Sequence, residues 1–278
     1  MQTAKAAGAG RERRSPTPGA ARKREAIHTL KAGVTEDRIL LHYQPIVEPD
    51  GLRTVAVEAL LRWRPPAEGP PLSDLIFSAE RSPVIFKLEN WVLQQSFAAA
   101  ASWRDAGVTG LRTNVNLSAR EFPRAGLARR VARMLSARGL DASAIGLEVT
   151  ETSAICQFDE VAEQIEELKT MGLEVWLDDF GTGHSSLEWL GGIPVDGIKI
   201  PGGLTSRLEE EERFRTIVSR AIDLAHDLGL RVIAEGVETV AQRDILGRAE
   251  CDLLQGFLFH PPVPAEDVPA AVGRVVTR

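Results

Sequence analysis

Glu58, Asn116, Glu148, Asp178, Asp179, Lys199 and Glu235 stand at or near the ends of apolar, strand-like runs distributed between positions 58 and 235. Carboxylates gathered at one point cannot all stay ionised without compensation, because like charges raise one another's pKa. A hard divalent cation supplies that compensation and prefers carboxylate and amide oxygens. With no His or Cys in the set, magnesium or manganese fits better than zinc. Two such ions about 4 Å apart would bridge a phosphate and activate a water between them. Lys199 adds a mobile positive charge that occupies no metal position, suited to orienting the water or steadying a pentacovalent phosphorane. Glu235 can ligate the second ion or act as base, and both roles stay open. Singly these residues have ordinary readings: a surface Glu58, Asn116 capping a turn, Asp178 or Asp179 capping a short helix near Ser185–Leu190, a snorkelling Lys199. Their joint placement is harder to explain by separate accidents.

For such residues to meet, the elements carrying them must wrap around one axis. Arg38–Val47 reads as a buried strand, with Pro45 near its end, and Val55–Leu61 as a second. Only the turn Pro49-Asp50-Gly51 separates them, too little for a crossover helix, so they are expected to pair antiparallel. Arg64–Pro71 reads as a loop, and Glu89–Ala106 as an amphipathic helix carrying Trp91, Val92, Phe97 and Trp103. Strands are then expected at Leu111–Leu117, Ile145–Thr150, Leu173–Asp178, Val195–Ile200, Leu230–Glu235 and Cys251–Leu254. Helices fill the gaps, most clearly Glu209–Leu228, with one apolar stripe through Phe214, Ile217, Val218, Ala221, Leu224, Ala225 and Leu228. Gly172 and Gly229 punctuate helix ends. Eight strands, with helices between the later ones, predict an α/β fold of the (β/α)8 barrel type, whose chemistry sits at the C-terminal strand ends. An open doubly wound sheet is the alternative, but no glycine-rich nucleotide fingerprint follows the first strand, and Gly181-Thr182-Gly183 is too short to count as one.

The chain has 278 residues, 44% of them hydrophobic, enough for one large core and too many for a disordered polymer. Of its 33 Lys and Arg and 39 Asp and Glu, seven bases and one acid lie within residues 1–24, leaving 26 bases against 38 acids for the rest. An acidic body excludes general DNA or RNA binding unless metals or basic patches intervene. Cys156 and Cys251 can form neither a disulfide framework nor a zinc knuckle, which suits a reducing cytosol. No apolar run is long enough to span a membrane and no signal-peptide core is present, so a soluble, cytoplasmic protein is expected. His28, His42, His184, His226 and His260 read as packing or solvent residues, and Trp63, Trp176 and Trp189 as core or rim packing.

Seven stretches in order resemble the EAL-type cyclic di-GMP phosphodiesterase domain: Glu58-Ala59-Leu60-Leu61-Arg62, Asn116-Leu117-Ser118, Glu148-Val149-Thr150-Glu151-Thr152, Asp178-Asp179-Phe180-Gly181-Thr182-Gly183, Lys199-Ile200, Glu235-Gly236-Val237-Glu238-Thr239 and Gln255-Gly256-Phe257. The resemblance covers about residues 36–267 and divides the chain into a basic flexible tail, 1–35, and a barrel domain, 36–278. It implies a modified barrel with its first strand antiparallel, and hydrolysis of cyclic di-GMP to pGpG with Mg2+ or Mn2+, Ca2+ being inhibitory. By the same resemblance Glu58, Asn116, Glu148 and Asp178 hold a first ion, and Asp178, Asp179 and Glu235 surround a second. Lys199, Glu58 and Glu235 serve catalysis, while Gln44, Arg62 and Gln255 bind substrate or organise the site. Glu151 is expected to steady the loop Asp179–Ser186, which couples the site to a homodimer interface. One departure stands out: Pro201 occupies a position where the family carries Asp, and the Gly202-Gly203 that follows is expected to loosen the loop holding Lys199. His184 replaces a common Tyr. A cyclic di-GMP receptor that binds without efficient turnover is therefore the alternative to the enzyme. A protein-interaction domain that has lost both activities is a third reading, against which Gln44, Arg62, Asn116 and Gln255 speak.

Overall fold

The computed structural model describes residues 29, 32–33, 38–51, 53–64, 71–80, 82–122, 124, 126–150, 158–182 and 186–273. The basic tail, including His28 but apart from residues 29 and 32–33, the segment from 65 to 70, Glu151, Cys156 and His184 lie outside the described residues. Strand β1 (Ile39–Val47) pairs antiparallel with β2 (Thr54–Trp63), in register from Ile39 opposite Trp63 to Ile46 opposite Ala56, with a one-residue shift before Val47 meets Thr54. From β2 a parallel ladder runs through β3 (Arg112–Leu117), β4 (Ile145–Thr150), β5 (Glu174–Asp178), β6 (Gly197–Ile200), β7 (Arg231–Ala234) and β8 (Leu253–Gln255). β1 then closes the barrel between β8 and β2, antiparallel to both, as the short first turn demanded. A ninth strand not expected from the sequence, β9 (Val263–Pro264), adds to β1 at His42 and Tyr43; two residues are too few for any alternation to show.

Helices α1 (Leu72–Glu80) and α2 (Val84–Asp105) follow β2, and α3 (Leu127–Arg138) and α4 (Phe158–Thr170) follow β3 and β4. Then come α5 (Ser186–Gly192), α6 (Gly202–Thr205), α7 (Glu212–Asp227), α8 (Val240–Arg248) and α9 (Val268–Val272). α2 starts five residues before the expected Glu89, because Pro83, with φ near −60°, presets its first turn. The α7 stripe is also corrected: Val218, Ile222 and Ala225 are buried, whereas Ile217 and Leu228 are 41% and 49% exposed. Two overlapping apolar faces were available there, and packing against β6 and β7 selected one. Gly172 and Gly229, with φ of 98° and 71°, end α4 and α7 as expected.

Period-two alternation places one residue in two of each strand inside the barrel. Ile46, Ala56, Trp176, Ile233 and Leu253 form an apolar plug there, distinct from the larger core between strands and helices. Two residues further along their strands stand Glu58, Asp178, Glu235 and Gln255, with Gln44 facing Glu58 from the antiparallel β1. The same layering sets Asn116, Glu148 and Lys199 above Asn114, Gly146 and Gly197. A Cβ at Gly197 would collide with the Trp176 ring, so this glycine makes room for the bulkiest member of the plug. A slip of one residue would turn every polar member outward, so the burial of the plug fixes the register of the layer above it.

Below the plug, Arg112 and Arg231 both pair with Glu174, and Arg231 lies over the Trp176 ring at 4.9 Å. Glu174→Ala leaves two guanidinium groups facing each other at the barrel floor, and melting should drop by the equivalent of about 1–3 kcal/mol. Ligand binding at the opposite end should stay unchanged, a result read by calorimetry on the same sample.

Candidate active site

Lys199 is fully buried, and its ammonium is the hub of the upper layer. Nζ lies 2.6 Å from Glu235, 2.8 Å from Glu148, 3.1 Å from Glu58 and 3.6 Å from Asp178. The expectation of a mobile lysine is therefore corrected: carboxylates from β2, β4, β5 and the residue just past β7 hold it, because like-charged acids this close need a counter-charge. Glu58 is further bound by Asn116, whose Nδ2 donates to Oε1 at 2.7 Å, and by Gln255, whose Nε2 donates to Oε2 at 2.7 Å. Asn116 thus supports the acid cluster rather than capping a turn; the cap is Ser118, whose hydroxyl accepts from Arg120 N. Glu58 also lies within β2 and is only 5% exposed, deeper than a rim residue.

Gln44 and Gln255 share a bond at 3.3 Å, and Gln44 also donates to the His260 carbonyl, so these two buried amides brace the cluster from β1 and β8. Arg62 bonds the Leu61 carbonyl at 3.0 Å, and no contact of its side chain with the cluster is seen. Asp179 is exposed at a φ of 56°, a left-handed corner that Asp tolerates better than most residues. Its corner is held beside the hub because Phe180 N donates to the Lys199 carbonyl.

The chain beyond Lys199 is tighter than the sequence suggested. Pro201 is buried in extended conformation and precedes α6, so Gly202 and Gly203 form a helical turn and do not loosen the loop. Gly236 has φ of 66°, and a Cβ on it would press on Gly202 Cα at 2.7 Å, so the loops after β6 and β7 touch backbone to backbone. Glu235 N donates to the Ile200 carbonyl, and Val237 N to that of Gln255, which fixes Glu235 between its neighbours.

Burial drives the charges in this layer apart. It raises Glu235 to about 7, helped by Asp178 and Glu58 and opposed by Lys199. Burial and the nearby Glu58 push Glu148 well upward, whereas for Glu58 burial is outweighed by Lys199 and the amide donors, which hold it low. Burial alone would lower Lys199, but Asp178, Glu148, Glu58 and Glu235 together hold it well above the ordinary range. Asp179, though its surface is exposed, is raised by the partial desolvation of its carboxyl and by Asp178.

Sequence reasoning missed two buried polar residues nearby. Asn114 donates from Nδ2 to Glu148 Oε1 at 2.9 Å; it stands two positions before Asn116, so strand alternation alone puts it on the same face. Glu89 on α2 accepts from Ser118 N at 2.7 Å, and burial raises it to about 8. Among the described residues its other oxygen has no hydrogen-bond partner, and Glu89 lines a cavity of about 270 Å³ that reaches Asn116. A carboxyl raised in the folded state stabilises the fold below its unfolded pKa and loses that contribution as pH climbs toward 8. Glu89→Gln should therefore flatten the decline of stability between about pH 4.5 and 8, by roughly 1.4 kcal/mol for each unit of displacement removed. Urea melts across that window would show the change.

Among the described residues no three acidic or imidazole groups converge as they stand on a point that would hold a metal ion. The carboxylates converge instead on Lys199 Nζ. The donor chemistry nevertheless fits a hard divalent cation: oxygens only, with one ammonium against Glu58, Glu148, Asp178 and Glu235. No helix among the described residues is long and apolar enough to cross a membrane.

A closed α/β barrel with one antiparallel strand and a carboxylate layer at its C-terminal mouth defines the class of protein. The chain belongs to the EAL domain family, whose description matches residues 27–262. It is 38% identical over 251 residues to the bifunctional diguanylate cyclase/cyclic di-GMP phosphodiesterase MucR of Pseudomonas aeruginosa, covering 89% of this chain and 36% of the relative. It is 36% identical to the cyclic di-GMP phosphodiesterase PdeR of Escherichia coli, covering 85% of this chain and 36% of PdeR. The chain thus spans about a third of the length of these relatives. The solved structure of the PaMucR phosphodiesterase with c-di-GMP superimposes with a TM-score of 0.81 at 37% identity, covering 88% of this chain and 99% of that one.

Proposed function

We propose that this chain hydrolyses cyclic di-GMP to the linear dinucleotide pGpG. The observation that carries the reading is the ring of four carboxylates around Lys199, braced by Asn116 and Gln255, in a chain similar to named cyclic di-GMP phosphodiesterases. Glu58, Asn116, Glu148 and Asp178 would hold a first Mg2+ or Mn2+, and Asp178, Asp179 and Glu235 would surround a second. Such an ion supplies Lewis acidity toward a phosphoryl oxygen and lowers the pKa of a bound water. Lys199 offsets part of the charge of the acid layer and holds its carboxylates in place, and in this reading it orients the attacking water or steadies the pentacovalent phosphorane. Glu235 either ligates or accepts the proton of the attacking water. That water forms a new P–O bond, the P–O3′ bond breaks, and the 3′ oxygen takes up a proton, leaving a 5′-phosphate on the linear product. Gln44, Arg62 and Gln255 are the residues proposed to hold the dinucleotide.

Pro201 favours a second reading, a receptor that binds the dinucleotide without efficient cleavage. Proline provides neither a carboxylate nor an N–H at the end of β6. Incubation of the purified protein with cyclic di-GMP and Mg2+ or Mn2+, followed by chromatography, separates the two: pGpG supports the enzyme, and saturable binding without product supports the receptor. Pro201→Asp should raise turnover if the missing carboxylate limits it; an unchanged rate would show that the carboxylate is not what limits turnover.

A further inference from the structure

We infer that Asn114 is a positioning residue for Glu148, and that Gly146 is glycine so that Asn114 can reach it. The inference rests on the proposed role of Glu148 in holding a divalent cation, and extends it to a residue one layer below. Asn114 is 1% exposed, a polar side chain that strand alternation puts on the same inner face as the apolar plug of Ile46, Ala56, Trp176, Ile233 and Leu253. Its Nδ2 donates to Glu148 Oε1 at 2.9 Å, while Lys199 Nζ donates to Oε2 of the same carboxylate at 2.8 Å. Glu148 is thereby gripped at both oxygens, from below and from the centre of the ring.

Packing shows how the bond is made possible. Asn114 and Gly146 are direct partners in the β3–β4 register, and a Cβ at Gly146 would collide with Asn114 Oδ1. Among the described residues the Oδ1 atom itself has no hydrogen-bond partner. An unpaired buried carbonyl oxygen costs stability, on the order of 1–3 kcal/mol. An apolar residue of similar size would avoid that cost, so packing alone does not account for asparagine here. The bond to Glu148 does. Groups that orient a ligating carboxylate typically set metal affinity by about 10–100-fold.

The test compares the full chain with Asn114→Leu and Gly146→Ala, using Mn2+ titrations followed by electron paramagnetic resonance, which needs no turnover, alongside thermal melts. Asn114→Leu removes the unpaired Oδ1 but strands Glu148 Oε1, so it should melt close to the parent yet bind Mn2+ about 10–100-fold more weakly. Gly146→Ala should weaken Mn2+ binding similarly while also melting lower, because its methyl displaces Asn114. Combining Asn114→Ala with Gly146→Ala should restore the melting temperature and leave the Mn2+ defect. Equal Mn2+ affinity in Asn114→Leu and the parent would overturn the inference, as would a defect that the double variant repairs together with its stability. Failure of the parent to bind Mn2+ would instead sink the metal reading on which the inference stands. Where the parent is active, kcat should fall in Asn114→Leu at saturating substrate with KM for cyclic di-GMP little changed.

Discussion

Lys199→Met should destabilise the metal-free protein by about 3–5 kcal/mol, the usual consequence of removing one partner from a buried charge cluster. The variant keeps the length and apolar volume of the side chain, so the loss reports charge and not a cavity. Four carboxylates, Glu58, Glu148, Asp178 and Glu235, then face one another without the ammonium that now lies within 3.6 Å of each. They must take up protons or splay apart, and the loss should grow as pH rises. Saturating Mn2+ should return much of the stability if the cluster accepts a cation, since a ligand that binds only the folded form stabilises it by mass action. A melting temperature indifferent to both substitution and Mn2+ would mean that the acids are neutralised in some other way.

Glu58→Ala should abolish cyclic di-GMP hydrolysis, a loss beyond the roughly 10–100-fold that follows removal of a merely supporting residue. The stability outcome differs from what a rim position would give. Glu58 is buried, and its removal leaves Asn116 Nδ2 without this acceptor and Gln255 Nε2 with only the longer bond to Gln44 Oε1 at the top of the barrel. One stranded donor, one weakened donor and an empty side-chain volume should cost about 2–4 kcal/mol, partly offset by relief of repulsion with Glu148. Glu58→Gln separates the effects, since it refills the space and still lacks the ligating charge: its melting should lie nearer the parent's while hydrolysis stays lost. Activity within a few-fold of the parent in either variant would remove Glu58 from the chemistry.

Much of this arrangement was legible in the sequence because the barrel repeats one rule. Every strand that brings a polar residue to the mouth alternates with period two, so Glu58, Glu148, Asp178 and Lys199 announce themselves by interrupting apolar runs. The antiparallel first pair was equally readable, because Pro49-Asp50-Gly51 leaves no length for a crossover. What was not legible depends on distances between elements far apart in the chain. Whether Lys199 is mobile or clamped is decided by how closely β2, β4, β5 and the end of β7 converge, which no single strand encodes. Glu89 looked like the first residue of an amphipathic helix, and only the approach of α2 to the end of β3 shows that it holds Ser118. The α7 stripe was ambiguous because Ile217 and Val218 are both apolar, and the neighbouring strands decide which one is buried. Pro201 was visible as a departure, but the backbone contact of Gly202 with Gly236 that tightens its surroundings was not.

Anomalous diffraction from crystals of the protein grown with Mn2+ and cyclic di-GMP examines the main contention at its source. The expected result is manganese at the barrel mouth, ligated by Glu58, Asn116, Glu148 and Asp178, with the dinucleotide phosphate beside it. Manganese bound only elsewhere, or a mouth in which Lys199 keeps all four carboxylates while the dinucleotide is absent, would contradict it.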